Sequence, residues 1–296
     1  MIALDIGGTK TLVWFSCKRK MEEFLRRFWF DFKKISYEEK FCIFDTRLIG
    51  EEESFFRFVS LIKDIDGKVI STFPGIVRME LDEKPRFRVF SKRFPFLIGK
   101  YLDFDFVLND APAFTYYHAS NFFRRSENRD KTLLGIVIGT GINASYMNYW
   151  DFKRLNFINR FFEAGHVPFD RSGRACFCGR SGCAELYVSG KYLEELGKGD
   201  PRVVFLDDEL RERYYSNLAD YITSLIVTIS PHEIVFGGSV SKDLDLEILK
   251  QLIEHNFPHS KIDLGISFRK DQNVLSNVKG LIGAFRSFKA IRRFLY

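Results

Sequence analysis

The chain has 296 residues, of which 46% are hydrophobic and 28% charged, proportions of a globular protein long enough for two domains. It lacks the apolar run of about 18 residues that a membrane-spanning helix needs. Its excess of six positive charges is dispersed over short stretches such as Lys18-Arg19-Lys20 and Arg292-Arg293, the pattern of solvated faces, which argues against a nucleic-acid reader.

Met1 leads directly into Ile2-Ala3-Leu4-Asp5 without the basic and apolar regions of a secretory leader, so a cytoplasmic protein that binds neither nucleic acid nor membrane is expected. Ile2-Ala3-Leu4-Asp5 reads as a short buried strand that ends in Gly7-Gly8-Thr9, and Thr11-Leu12-Val13-Trp14-Phe15 resumes extended sequence. The loop between these strands offers backbone N–H groups and the Thr9 hydroxyl, and Asp5 sets a carboxylate at its mouth. That combination suits a phosphate with hydrated Mg²⁺, although a plain hairpin turn is the simpler alternative. The spacing of a Walker loop is absent. Cys17 and Cys42 fall in apolar, strand-like runs and are expected as buried thiols.

Residues 68–72 read as a strand that turns at Phe73-Pro74-Gly75. Val107-Leu108 runs into Asn109-Asp110-Ala111-Pro112, a strand passing into a helix through Tyr117 with proline in its first turn. Asn109 and Asp110 therefore stand at a strand-to-helix junction, where α/β proteins expose side chains and a helix start favours a carboxylate. The competing reading makes Asp110 only a helix cap.

The opening plan returns at mid-chain. Residues 132–138 lead into Gly139-Thr140-Gly141, and residues 142–150 again read as a strand, so two related half-domains are expected. Gly139, Gly141 and Ala144 also fit the dinucleotide fingerprint G-x-G-x-x-A, but that motif opens a helix, whereas residues 142–150 are rich in β-formers.

Three of the five cysteines, Cys176, Cys178 and Cys183, lie within eight residues, with His166 upstream and glycines between them. This is ligand spacing for a tetrahedral Cys₃His zinc site, and four protein ligands leave no open position, so the zinc would be structural. Glu163 precedes His166 by three residues and Glu185 follows Cys183 by two, so an ordered knot would pin two acceptors suited to a polyhydroxylated ligand. Reduced core thiols are the alternative, and the interleaved glycines argue against it.

From Leu210 to Ile229 apolar residues fall at helical spacing until Pro231. Residues 233–236 form a short strand that opens on Gly237-Gly238-Ser239, a turn suited to the close approach of a flat ligand such as an adenosine group. Val278, Leu281, Ile282, Phe285 and Phe288 mark a last amphipathic helix.

With these residues in place, the sequence resembles the ROK family (repressors, open reading frames and sugar kinases), in particular its bacterial glucokinase-like kinases. Asp5, Gly7, Gly8, Thr9 and Lys10 look like its first phosphate motif, Gly139, Thr140 and Gly141 like its second, and Gly237, Gly238 and Ser239 like its adenosine turn. Asn109-Asp110-Ala111 looks like its sugar and catalytic-base segment. Glu163, His166, Cys176, Cys178, Cys183 and Glu185 look like its sugar-binding and zinc signature.

The resemblance implies an α/β, two-lobed actin/hexokinase-like (ribonuclease H-like) ATPase fold with a central cleft. It implies a small α/β domain over 1–115, completed by the C-terminal helix 284–296, and a larger one over 116–283 that carries the zinc loop. It also implies ATP as donor, Mg²⁺ at Asp5, structural Zn²⁺, a homodimer, and transfer of the γ-phosphoryl group to a hexose, glucose at its 6-hydroxyl. Asp110 would take the hydroxyl proton, while Asn109, Glu163, His166 and Glu185 would hold the other hydroxyls.

Two departures stand out. Asn143-Ala144-Ser145 follows Gly141 where the family is usually glycine-rich, and Pro112 replaces a common asparagine. A sugar-responsive repressor of the same family would carry a DNA-reading helix-turn-helix ahead of the first phosphate strand, which here begins at Ile2.

Overall fold

The computed structural model describes residues 1–28, 36–38, 40–81, 84–160, 162–257 and 265–295. The chain forms two compact units, the first from residues 1–117, 154–161 and 275–296, the second from residues 118–153 and 162–274.

In the first unit, β1 (Ile2–Ile6) turns back as β2 (Lys10–Phe15), and α1 (Lys18–Arg27) follows. Next come β3 (Ser36–Glu38), β4 (Phe41–Asp45), α2 (Glu52–Ile65) and β5 (Val69–Phe73). A hairpin and edge piece, β6 (Ile76–Leu81), β7 (Pro85–Phe90) and β8 (Tyr101–Leu102), precede β9 (Phe106–Asn109) and α3 (Asp110–Phe122). Six strands make one sheet in the order β3-β4-β2-β1-β5-β9, with β5 parallel to both β1 and β9.

The apolar positions of α2, Phe55, Phe58, Leu61, Ile62 and Ile65, recur at helical spacing and are all buried, while its charged residues line the other face. Phe58 meets Phe24 and Phe44 edge to face, with ring centroids 6.2 and 5.7 Å apart, so much of the phenylalanine content is packed into this core. Burying each such ring contributes about 1.5–3 kcal/mol. The separate sheet β6-β7-β8 has no counterpart among the sequence expectations, which assign no element to residues 76–102. Cys42 is buried in β4 as expected, whereas Cys17 is only partly buried and caps α1, because its strand-like run ends at Phe15.

In the second unit, β10 (Thr132–Ile138) turns back as β11 (Ile142–Asn148). The strand stops two residues before its expected end, because Asn148 accepts the Asp151 N–H at 2.8 Å and starts α4 (Tyr149–Arg154). Short helices α5 (Glu185–Val188), α6 (Gly190–Leu196) and α7 (Arg202–Leu206) lead to α8 (Asp208–Ile229). Asp207 caps α8, and Ser230 ends it in the left-handed conformation just before Pro231. The unit closes with β12 (Glu233–Gly237), α9 (Leu246–His255) and β13 (Ser267–Lys270). Its sheet order is β11-β10-β12-β13, with β12 parallel to β10 and β13.

The last helix, α10 (Ser276–Leu295), starts before the first apolar residue of its predicted stripe and returns to pack on β1, β5 and β9. Each unit thus has an antiparallel hairpin whose first strand lies parallel to the next strand, which is the repeated plan read from the two glycine loops. Among the described residues no helix is long and apolar enough to cross a membrane.

Candidate active site

In open α/β sheets, ligands are met at the carboxyl ends of parallel strands. At that edge of the first unit stand the ends of β1, β5 and β9, which carry Asp5, Phe73 and Asn109. Asp5 accepts from the Thr72 hydroxyl at 2.5 Å and from the Asn277 amide at 3.0 Å. Burial pushes its carboxyl above the usual range, opposed by those two hydrogen bonds, which favour the charged form. The loop beyond it, Gly7 to Lys10, is held by Thr46, whose N–H donates to the Thr9 carbonyl at 2.8 Å and whose hydroxyl donates to the Gly7 carbonyl at 3.0 Å. Gly8, Thr9 and Lys10 are exposed.

Asn109 is buried and donates to the Gly75 carbonyl at 2.8 Å, so its amide is anchored to the turn after β5. Its oxygen and Asp110 Oδ1 share the Ala111 N–H, at 3.0 and 2.8 Å. Asp110 opens α3, where the unpaired N–H groups of a helix start favour a carboxylate.

In the second unit, the loop Gly139-Thr140-Gly141 joins β10 to β11. Its first two carbonyls accept from Gly190 and Lys191 at the start of α6, at 2.9 and 3.0 Å. Gly238 beside it has φ +87°, and a Cβ there would fall 2.3 Å from the Ile138 carbonyl, so the glycine turn at 237–239 lies directly against the end of β10. Glu185 reaches this loop as well and accepts the Ile142 N–H at 3.3 Å. Burial raises its carboxyl, countered by that N–H and by the Lys191 charge.

Glu163 and His166 frame a one-turn helix in the same unit, with Glu163 Oε2 3.7 Å from His166 Nε2. The other ring nitrogen, Nδ1, lies 3.6 Å from Cys176 Sγ, and Cys178 Sγ lies 3.5 Å from Cys183 Sγ. The four donor atoms all fall within 4.8 Å of one another. The loop is shaped by Gly182, at φ +66°, where a Cβ would strike the Asp170 carbonyl at 1.5 Å. Burial raises Cys178, but the Arg180 N–H and the neighbouring thiols outweigh it and bring the group down to about 7. Burial and the neighbouring Cys178 and Cys176 thiols push Cys183 up to about 12.

The model of the ROK family matches residues 96–290, more than half of the chain. The chain belongs to the ROK family. It is 29% identical over 158 residues to an N-acetylmannosamine kinase of Haemophilus influenzae, a match that covers 45% of this chain and 48% of that protein. It is 28% identical over 209 residues to an N-acetyl-D-glucosamine kinase of Pectobacterium carotovorum, covering 60% of this chain and 66% of the relative. The chain thus spans about half to two thirds of the length of these curated relatives. The ROK family glucokinase from Streptomyces griseus, solved with glucose and AMPPNP, superposes with a TM-score of 0.61 at 17% identity, covering 97% of this chain and 98% of that one. The fold class is therefore that of the actin-like ATPases to which ROK hexokinases and glucokinases belong.

The thiol and imidazole set of this ROK protein fits a zinc ion. Donors around one tetrahedral zinc stand about 3.5–3.8 Å apart, close to the separations of the His166–Cys176 and Cys178–Cys183 pairs. The Asp5 carboxylate also fits a hydrated cation, because each oxygen accepts one hydrogen bond and keeps further acceptor capacity.

The structure groups Asp5, Gly7, Gly8, Thr9, Lys10, Asn109 and Asp110 in the first unit and the remaining predicted residues in the second. Three further residues were missed. Thr72 and Asn277 hold Asp5, and Asn143 grips the chain around Glu163. Asn143 was visible only as an interruption of a glycine-rich loop, and nothing local in sequence marks the other two.

Proposed function

We propose that the protein is an ATP-dependent sugar kinase acting on a hydroxyl of a hexose or N-acetylhexosamine. The observation that carries this reading is the Asn109–Asp110 pair, an anchored amide beside a carboxylate at a helix start. Asp110 takes the proton of the attacking hydroxyl as the oxygen bonds to the γ-phosphorus and the bond to the departing ADP breaks. Asn109, Glu163, His166 and Glu185 hold the remaining hydroxyls, a set rich in acceptors that suits several adjacent donors.

Gly7, Gly8, Thr9 and Lys10, with Gly139, Thr140 and Gly141, bind the phosphates, and Gly237, Gly238 and Ser239 admit the adenosine group. Mg²⁺ at Asp5 supplies neutralising charge for the phosphates when bound. Zinc on His166, Cys176, Cys178 and Cys183 serves structure, ordering the stretch that bears Glu163 and Glu185.

The relatives named for N-acetylmannosamine and N-acetyl-D-glucosamine support an N-acetylated substrate. The glucose 6-hydroxyl expected from sequence is the second candidate, supported by the glucose-bound neighbour. Release of ADP from MgATP, measured with N-acetylmannosamine, N-acetylglucosamine, glucose and mannose, tests this. An N-acetylhexosamine is expected to exceed glucose about tenfold or more in kcat/KM. A reversed preference returns the assignment to glucose. Binding of a sugar without ADP release would replace the kinase by a sugar-sensing regulator.

A further inference from the structure

Asn143 is the second residue of β11, the edge strand of its sheet. Its amide Nδ2 donates to the Phe162 carbonyl at 2.6 Å, and its Oδ1 accepts from the Ala164 N–H at 3.0 Å and from the Ala144 N–H at 2.8 Å. The carbonyl before Glu163 and the N–H after it are therefore both bound by one side chain. An open strand edge pairs with a carbonyl and an N–H of its neighbour. Here a side-chain amide performs that pairing for a segment that is not a strand. Gly165 completes the contact, since a Cβ there would fall 2.2 Å from the Ile142 carbonyl.

We infer that Asn143 is a positioning residue that sets the direction of the Glu163 carboxylate and thereby the affinity for the sugar. The inference rests on the reading of Glu163 as a sugar contact. Gripping the peptide on both sides of Glu163 fixes where its Cα–Cβ bond points, and the carboxylate then lies beside His166 Nε2. Only a primary amide of this length supplies both a donor and an acceptor here; aspartate offers acceptors alone, and alanine neither. Because Asn143 stands two residues beyond Gly141, the strand that leaves the glycine loop is also the strand that aims Glu163.

The test uses the full chain with its metal retained. Calorimetry measures the Kd of N-acetylmannosamine, of glucose and of AMPPNP for wild type, Asn143→Ala, Asn143→Asp, Glu163→Gln and the Asn143→Ala/Glu163→Gln double variant. Loss of the two hydrogen bonds should weaken the bound sugar about tenfold in Asn143→Ala, with AMPPNP within about twofold. Asn143→Asp should fall between, and the double variant should be little weaker than Glu163→Gln, because both changes disable one unit. Deuterium exchange of the amides at 163–164 should quicken in Asn143→Ala while zinc content holds.

Unchanged sugar affinity in both Asn143 variants, equal losses for sugar and nucleotide, or simple additivity in the double variant would overturn the positioning role and leave the kinase reading intact. If Glu163→Gln leaves sugar binding unchanged, or the wild type binds neither sugar, the reading beneath the inference fails and the inference fails with it.

Discussion

Asp5 at the end of the first strand and Asn277 in the first turn of the last helix are joined by a hydrogen bond of 3.0 Å, although 272 positions separate them in the chain. The carboxylate proposed for Mg²⁺ is therefore oriented by α10, an element far from it in the chain. Asn277→Leu removes a donor to a charged acceptor, an interaction of about 1.5–3 kcal/mol, so Mg²⁺-dependent turnover should fall about tenfold or more. Turnover and Mg²⁺ dependence matching the wild type would show that Asn277 serves only the packing of α10.

Asp5 also makes a prediction about pH. Its folded-state pKa lies above the ordinary value, chiefly through burial. Between the unfolded and folded values the folded protein binds more protons, so stability falls as pH rises through that window and stays lower above it. Asp5→Asn removes the charge while its amide can still meet Thr72 and a turned Asn277. Melting temperature of the variant should exceed wild type at pH 7, the gap narrowing toward about pH 4, while turnover is lost. A variant less stable than wild type at pH 7 would mean that the carboxylate gains more from its donors than it loses to burial.

Asp110→Asn keeps the shape of the group and the acceptor for the Ala111 N–H, but it cannot take a proton. Turnover should fall by about 10²–10⁴ with sugar binding largely retained. Steady-state kinetics at wild-type rates would remove Asp110 from the reaction.

Metal analysis of the purified protein should find about one zinc per chain, the content of a single four-ligand site. Cys178→Ala breaks that donor set and should lose the metal. Sugar affinity should weaken more than nucleotide affinity, since the knot orders the segment of Glu163 and Glu185. A metal-free variant with unchanged sugar affinity would separate the cluster from sugar binding.

Much of the architecture was legible because it is written locally. The apolar run of β10 followed by Gly139-Thr140-Gly141 appears in the structure with the expected strand bounds, and the helix ended by Pro231 runs to Ile229. These follow from periodicity and turn chemistry within a few residues. The sheet β6-β7-β8 was not anticipated, because the partners of its short strands are set by pairing, not by propensity. Cys17 escaped for a related reason, since a single polar step moved it from strand to helix cap.

The candidate site divides in the same way. Sequence alone determined the chemistry on offer: the cysteine and histidine spacing, the glycine loops, and a carboxylate at a strand-to-helix junction. Their meaning depends on neighbours close along the chain, where covalent geometry limits what the backbone can do. Only the tertiary structure decided that Thr72 and Asn277 bind Asp5, that Asn109 is tied to Gly75, and that Asn143 holds the peptides flanking Glu163. Those contacts join residues from 19 to 272 positions apart. A hydrogen bond between such residues has no local signature, because it exists only once the packing of strands and helices has brought donor and acceptor within about 3 Å.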